Sequence, residues 1–172
     1  MKTVILGTSG SGKSTLANAL GKQEGVEVLH LDAVHFLPGW VERDQADEEA
    51  RVEAFLDHHA AWVMDGNYSN LCYERRLDEA DRIIVLYFNR FACLGRVVRR
   101  WWQNRGRVRD SAAPGCKEKL DAEFLWWVLY KGRRPAFRAR LDAIEKRYPE
   151  KCIRITNQKQ LDAYKRCCRK DG

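Results

Sequence analysis

Near the start of the chain the run Gly7-Thr8-Ser9-Gly10-Ser11-Gly12-Lys13-Ser14-Thr15 fills every fixed position of the pattern G-x-x-x-x-G-K-[ST]. The pattern constrains the fold because its chemistry needs a particular local geometry. Its glycines let the backbone curl so that successive N–H groups converge on phosphate oxygens. Lys13 brings a mobile positive charge to the β- and γ-phosphates, and the Ser14 hydroxyl is a ligand for Mg²⁺. A helix beginning near Gly12 adds the positive end of its dipole. The flanks agree with this reading. Lys2-Thr3-Val4-Ile5-Leu6 reads as a strand, and Leu16-Ala17-Asn18-Ala19-Leu20 continues as a helix with Gly21 as a stop. A strand–loop–helix unit is the expectation, with Gly7, Ser9, Gly10, Ser11, Gly12, Lys13, Ser14 and Thr15 around ATP. The alternative is a glycine-rich turn with no ligand.

The 172 residues suffice for one domain with its own core, and 45% hydrophobic with 32% charged residues is ordinary for a soluble protein. No apolar run approaches a membrane span. The first expected strand lies directly behind Met1, which leads to the expectation of no signal peptide and a cytoplasmic location. None of the six cysteines forms C-x-x-C, and no histidine pair forms H-E-x-x-H, so metal-ligand spacing is absent. The net charge of +7 is uneven: between Arg82 and Arg109 there is no Asp or Glu, while Arg90, Arg96, Arg99, Arg100, Arg105 and Arg107 accompany Trp101 and Trp102. Such a block reads as a phosphate clamp, a nucleic-acid patch or a solvated face.

Further strands are expected at residues 26–31, ending at Asp32, at 61–64, ending at Asp65-Gly66, at 83–88 and at 152–155. Residues 83–88 form a continuous apolar run, as a buried parallel strand should. Helices are expected from Asp44 as N-cap to about His58, over 70–77, 91–103, 118–130, 136–147 behind Pro135, and 158–168. Strands alternating with helices predict an α/β fold, a parallel sheet covered on both faces with its ligands beyond the carboxyl ends of the strands. A Mg²⁺-binding Asp is expected at the end of an apolar strand. The 83–88 strand runs into Asn89, so Asp65 is the better candidate, the alternative being a turn residue before Gly66. Asp32 holds the equivalent place one strand earlier. It reads as a ligand of a metal-bound water, an acceptor-positioning group, a general base, or a structural turn residue.

With these pieces placed, the chain resembles the adenylate-kinase-like P-loop kinases. Within them it is similar to the family of DNA topology modulation proteins (FlaR-like). The resemblance rests on GTSGSGKSTLA, HLDAVHFLPGW followed by Arg43-Asp44, WVMDGNY, ADRIIVLYFNR, RVVRRWW and GCKEKLDAEFLWWV, which run in order from the first strand to about Pro135. It implies a nucleoside-monophosphate-kinase-like P-loop domain over residues 1–172 with a five-stranded parallel sheet. It also implies an acceptor-binding insertion at about 33–60 and a short lid at about 101–117. In such enzymes an Arg-x-x-x-Arg precedes the lid, matched by Arg96 and Arg100, the first near the adenine and the second at the phosphates. Trp40, Arg43, Asn67 and Tyr68 fall where an acceptor would bind, and only Arg43 and Arg51 in the acceptor segment could meet a phosphate on it.

Phosphoryl transfer asks mainly for positioning and charge stabilisation. Lys13, Asp32, Arg96 and Arg100 are the expected catalytic set, with Ser14 and Asp65 holding the metal. Arg96 and Arg100 sit one turn apart on a helix, with Arg99 adjoining. Arg105, Arg107 and Arg109 lie with Gly106 in the lid segment and would close over the site. A phosphate acceptor needs further arginines, a hydroxyl acceptor needs a base, and Phe36, Trp40 and Tyr68 would form an aromatic wall or simply pack in the core. The competing reading is a DNA-binding regulator with a regulatory or vestigial ATP site, carried by the arginine block and the basic tail Lys165-Arg166-Arg169-Lys170. It is less favoured, because no helix-turn-helix or zinc module is recognisable.

Overall fold

The computed structural model describes residues 1–103, 115–116 and 120–168. Five parallel strands form the main sheet: β1 (Lys2–Gly7), β2 (Glu27–His30), β5 (Trp62–Asp65), β6 (Arg82–Leu86) and β7 (Cys152–Ile155), in the order β2-β5-β1-β6-β7. From β1 the chain first builds the sheet to one side and later, with β6, to the other. That reversal leaves a crevice at the carboxyl end of β1, the place where such sheets bind ligands.

The strand sequences explain why both faces are covered. In β1, Val4 and Leu6 point into one core and Ile5 into the other; in β6, Ile83 and Val85 oppose Ile84 and Leu86 in the same way. On the first face lie α2 (Leu31–His35), α3 (Gln45–His58), α4 (Tyr73–Glu79) and α7 (Pro135–Arg147), through Leu31, Val52, Leu56, Leu77 and Leu141. On the second lie α1 (Lys13–Glu24), α5 (Arg90–Gln103), α6 (Ala122–Leu129) and α8 (Gln158–Cys168), through Leu16, Leu20, Val97, Val128 and Leu161. Each such fully buried side chain contributes about 1.5–3 kcal/mol. The α/β architecture with a five-stranded parallel sheet and helices on both faces is therefore present as expected.

Several boundaries differ from the sequence expectation. The second strand stops at His30, and Asp32 lies in the first turn of α2 rather than in a loop. Asp65 is the last residue of β5, not the residue after it. The helix expected over 70–77 runs from Tyr73 to Glu79, because Cys72 takes a left-handed φ of 46° and blocks an earlier start. The helix expected over 118–130 begins at Ala122, where the Asp121 carboxylate accepts the N–H of Phe124 at 2.8 Å. A small antiparallel hairpin, β3 (Phe36–Leu37) with β4 (Val41–Glu42), was not visible at two residues per strand. In the stretch between β2 and β5, α3 is capped by Asp44, whose side chain accepts from the N–H groups of Ala46 and Asp47.

Candidate active site

The loop leaving β1 is held against its neighbours by backbone contacts that only glycine permits. Gly7 has φ 143°, and a Cβ there would stand 2.1 Å from the Leu86 carbonyl oxygen of β6. Gly10 has φ 76°, and its Cβ would meet the Cys93 carbonyl oxygen of α5 at 2.7 Å. Asn67, just past β5, clamps the loop's entry from the other side: its Oδ1 accepts the Gly7 N–H at 3.0 Å and its Nδ2 donates to the Gly7 carbonyl at 2.7 Å. Ser9 and Gly10 form the crest turn, and Thr15 is exposed on α1. Gly12 caps α1 with φ 96°, with no side-chain hydrogen bond to the cap and no acidic residue in the first turn. The first N–H groups of α1 and their dipole are thus presented to an anion. The Ser11 hydroxyl is buried without a hydrogen-bond partner among the described residues.

Lys13 donates to the carbonyls of Gly7 (3.1 Å) and Thr8 (3.2 Å). Burial holds its ammonium below the usual lysine range; Asp32 and then Asp65 pull it back up, while Arg100 pushes it down. Asp32 is thus the leading counter-charge of Lys13, and Arg100 stands near enough to share its field.

Ser14 Oγ donates to Asp65 Oδ2 at 2.8 Å. A hydroxyl and a carboxylate, both hard oxygen donors, meet beside a phosphate loop, and that donor set fits Mg²⁺. The other oxygen of Asp65 is engaged by His30 Nδ1, whose Nε2 lies 2.9 Å from Asn18 Oδ1. The register of β2 on β5 explains this: His30 pairs directly with Asp65. So His30, not Asp32, occupies the place beside Asp65, and no local pattern in the sequence marks it. Asp32, two residues on, instead accepts a 2.9 Å hydrogen bond from the Tyr68 hydroxyl. Burial first, then the neighbouring charges of Asp32, Glu48 and Glu42, push the Tyr68 phenol above its ordinary range.

Phe36, Trp40 and Tyr68 are linked through His35 into one row of ring contacts. Tyr68 packs on the His35 ring (4.8 Å between centroids), His35 on Phe36 (4.5 Å), and Phe36 edge-on against Trp40 (5.1 Å). Phe36 and Trp40 also pack on buried Cys116, whose Sγ lies 3.3 Å from the Leu37 carbonyl oxygen. Arg43 donates to the Val34 carbonyl and to Asp47, both at 2.7 Å, and Arg51 also holds Asp47.

On α5, Arg96 donates to the Ser11 carbonyl (3.1 Å) and Gln158 (2.6 Å) and lies 4.1 Å from the centre of the Phe88 ring. Arg99 does not adjoin this face; it lies exposed in an outward stripe with Phe91, Val98 and Trp102. Arg105, Arg107 and Arg109 lie outside the described residues. Arg133 was missed at the sequence level. Its guanidinium reaches the Phe88 carbonyl (2.8 Å), Cys93 Sγ (3.0 Å) and Thr8 Oγ1 (3.3 Å), tying the loop to α5 and α6. In sequence it is one basic residue in Lys131-Gly132-Arg133-Arg134, with nothing to single it out.

The strand order, the loop between β1 and α1, and the carboxylate ending β5 define a P-loop, kinase-like α/β domain. The chain belongs to the AAA domain family AAA_18, whose model matches residues 4–123. No curated protein matches it in sequence. Among solved structures it is similar to a shikimate kinase from Acinetobacter baumannii in complex with shikimate, at 18% identity and TM-score 0.55, covering 92% of this chain and 85% of that one. It is also similar to a deoxyadenosine kinase from M. mycoides with bound dATP, at 19% identity and TM-score 0.50, covering 91% of each chain. At such identities the likeness is one of fold. Membership in the topology modulation family finds no support in these comparisons. No described helix is long and apolar enough to cross a membrane.

Proposed function

We propose that the chain is an ATP-dependent phosphotransferase acting on a small-molecule acceptor. The observation that carries this reading is Asp32, whose charge acts on Lys13 of the phosphate loop and whose carboxylate accepts from Tyr68 in the segment after β5. Ser14 and Asp65 would hold Mg²⁺, which supplies charge neutralisation on the β- and γ-phosphate oxygens. Lys13 and Arg100 hold the γ-phosphoryl group, and Arg96 lies beside the loop. Asp32 accepts the proton of the acceptor hydroxyl as the new O–P bond forms and the bond to the β–γ bridging oxygen breaks, leaving ADP. Tyr68 orients the Asp32 carboxylate. The test is ATP consumption over a panel of alcohols, hydroxy acids and nucleoside monophosphates. Acceptor-dependent turnover should appear and vanish in Lys13→Ala; a flat panel defeats the reading. Asp65→Asn should weaken Mg²⁺-dependent ATP binding about tenfold or more by calorimetry while leaving Mg²⁺-free binding nearly unchanged.

One observation favours the DNA-binding reading. The exposed stripe of α5 holds Phe91 (70% exposed) and Trp102 (75%) beside Arg99, and the arginine block thus presents aromatic faces on which bases could stack. Against it, Arg82 is withdrawn into contacts with Glu24 (2.6 Å) and Thr3.

A further inference from the structure

The stretch between β2 and β5 is rich in carboxylates. Residues 33–60 contain seven Asp and Glu against two Arg, in a chain whose net charge is +7. Both arginines converge on Asp47 and hold its carboxyl below the usual carboxylate range. A phosphate entering here would have to break that pairing.

Within that row of rings, His35 also holds a carboxylate, that of Glu48. Glu48, on α3, is 2% exposed, and its Oε1 lies 2.8 Å from His35 Nδ1. Its Oε2 is buried with no hydrogen-bond partner among the described residues. A buried carboxylate oxygen without a donor is costly, and the group that relieves it is an O–H or N–H. The His35 ring packs on Tyr68, and Tyr68 donates to Asp32, so this oxygen belongs to the same cluster as the proposed base. Glu42 adds a further carboxylate 3.8 Å from His35 Nε2.

Resting on the phosphotransferase reading, we infer that the acceptor is an alcohol without an anionic group, a polyol, sugar or amino alcohol, one of whose other hydroxyl or ammonium donors is taken by Glu48 while the reacting hydroxyl meets Asp32. Glu48 is a specificity residue, and His35 positions it. A carboxylate or phosphate on the acceptor would meet the like charges of Asp32 and Glu42, both exposed, and of Glu48, which is buried and least screened. The cations near this region are already engaged: Arg43 on the Val34 carbonyl and Asp47, Arg76 on the Leu71 and Tyr68 carbonyls, and Arg140 at 3.4 Å from the Asn67 carbonyl and over the Tyr73 and Phe137 rings.

The experiment uses the full chain with Mg·ATP and four acceptor sets: sugars and polyols such as ribose and glycerol, amino alcohols such as ethanolamine, hydroxy acids such as glycerate, and nucleoside monophosphates such as AMP. The first two sets should be used with kcat/KM at least about 100-fold above the last two, a difference of about 2.7 kcal/mol. Glu48→Gln keeps the shape and His35 contact but removes the charge. It should raise the KM for the preferred alcohol about tenfold, with the KM for ATP and the melting temperature unchanged. A hydroxy acid or nucleotide as the best acceptor overturns this inference and leaves phosphotransfer standing. So does Glu48→Gln with an unaltered acceptor KM. Turnover from none of the four sets, with ATP still bound, overturns both.

Discussion

Lys13 carries a cost in the protein without ATP, and the direction of its effect on stability follows from its surroundings. Burial holds its ammonium below the ordinary lysine value of 10.5. Replacing it with Met removes that charge. The two carbonyls it leaves behind keep other donors: Gly7 O has Asn67 Nδ2 at 2.7 Å, and Thr8 O has the Ser11 N–H at 3.2 Å. Little is lost against the relief of desolvation, so Lys13→Met should melt at a higher temperature than the native chain without ATP. At this size each kcal/mol gained reads as about 2–4 °C. Because the folded pKa is depressed, the native protein releases this proton before the unfolded chain does. Its stability therefore rises with pH between the lowered value and 10.5. The advantage of Lys13→Met is largest at neutral pH and shrinks across that interval. Calorimetric melts of both proteins from pH 7 to pH 10 would show it, and an equal or lower melting temperature for the variant at pH 7 would contradict it. ATP should stabilise the native chain and leave the variant's melt unmoved.

At the scale of elements, the segment between β5 and α4 carries Asn67 and Tyr68, and a buried arginine anchors it. Arg76, on α4 and 1% exposed, donates to the carbonyls of Leu71 (2.7 Å) and Tyr68, and burial brings its guanidinium down to about 10, still charged at neutral pH. Hydrogen bonds from a charged donor are worth about 1.5–3 kcal/mol each. Losing both bonds costs about 3–6 kcal/mol, offset in part by relief of the buried charge, so Arg76→Ala should cost about 2–4 kcal/mol by urea unfolding and raise the acceptor KM more than the KM for ATP, since Tyr68 loses its support while the loop at Gly7 to Ser14 keeps its own. An equal change in both constants would mean that α4 serves stability alone. The elements themselves were largely legible in the sequence where apolar runs had no competitor: β1, β6, β7 and α8 fall where expected because their side chains enter one of two cores. The short pieces were not. One turn of helix after His30 and two-residue strands at Phe36 and Val41 have too few residues for a period to show. The Ser14–Asp65 pair could be anticipated because a known loop pattern asks for it. His30 and Arg133 could not, since strand register and an interhelical contact bring them to the site.

Across the whole molecule, charge is divided along the chain. The stretch from Arg82 to Arg109 holds arginines and no Asp or Glu and the net charge is +7, while residues 33–60 carry seven Asp and Glu against two Arg. Such a field draws an anionic donor by long-range attraction, and salt screens it within about 8–10 Å at physiological strength. An alcohol acceptor without charge feels none of this. Raising NaCl from 50 to 300 mM should therefore raise the KM for ATP several-fold while leaving the KM for a sugar or polyol acceptor within about twofold, as an uncharged ligand has no field to lose. An anionic acceptor would instead weaken in step with ATP. The same salt series distinguishes the DNA reading. Counterion release makes a phosphate-contacting surface lose affinity steeply, by about a thousandfold or more between 50 and 200 mM when six or more phosphates are engaged. A single-stranded oligonucleotide bound in the micromolar range with that slope, quenching Trp102 fluorescence, would assign the exposed stripe of α5 to nucleic acid. A shallow slope would leave Arg96 to the phosphate loop, where it donates to the Ser11 carbonyl, and Arg99 to solvent.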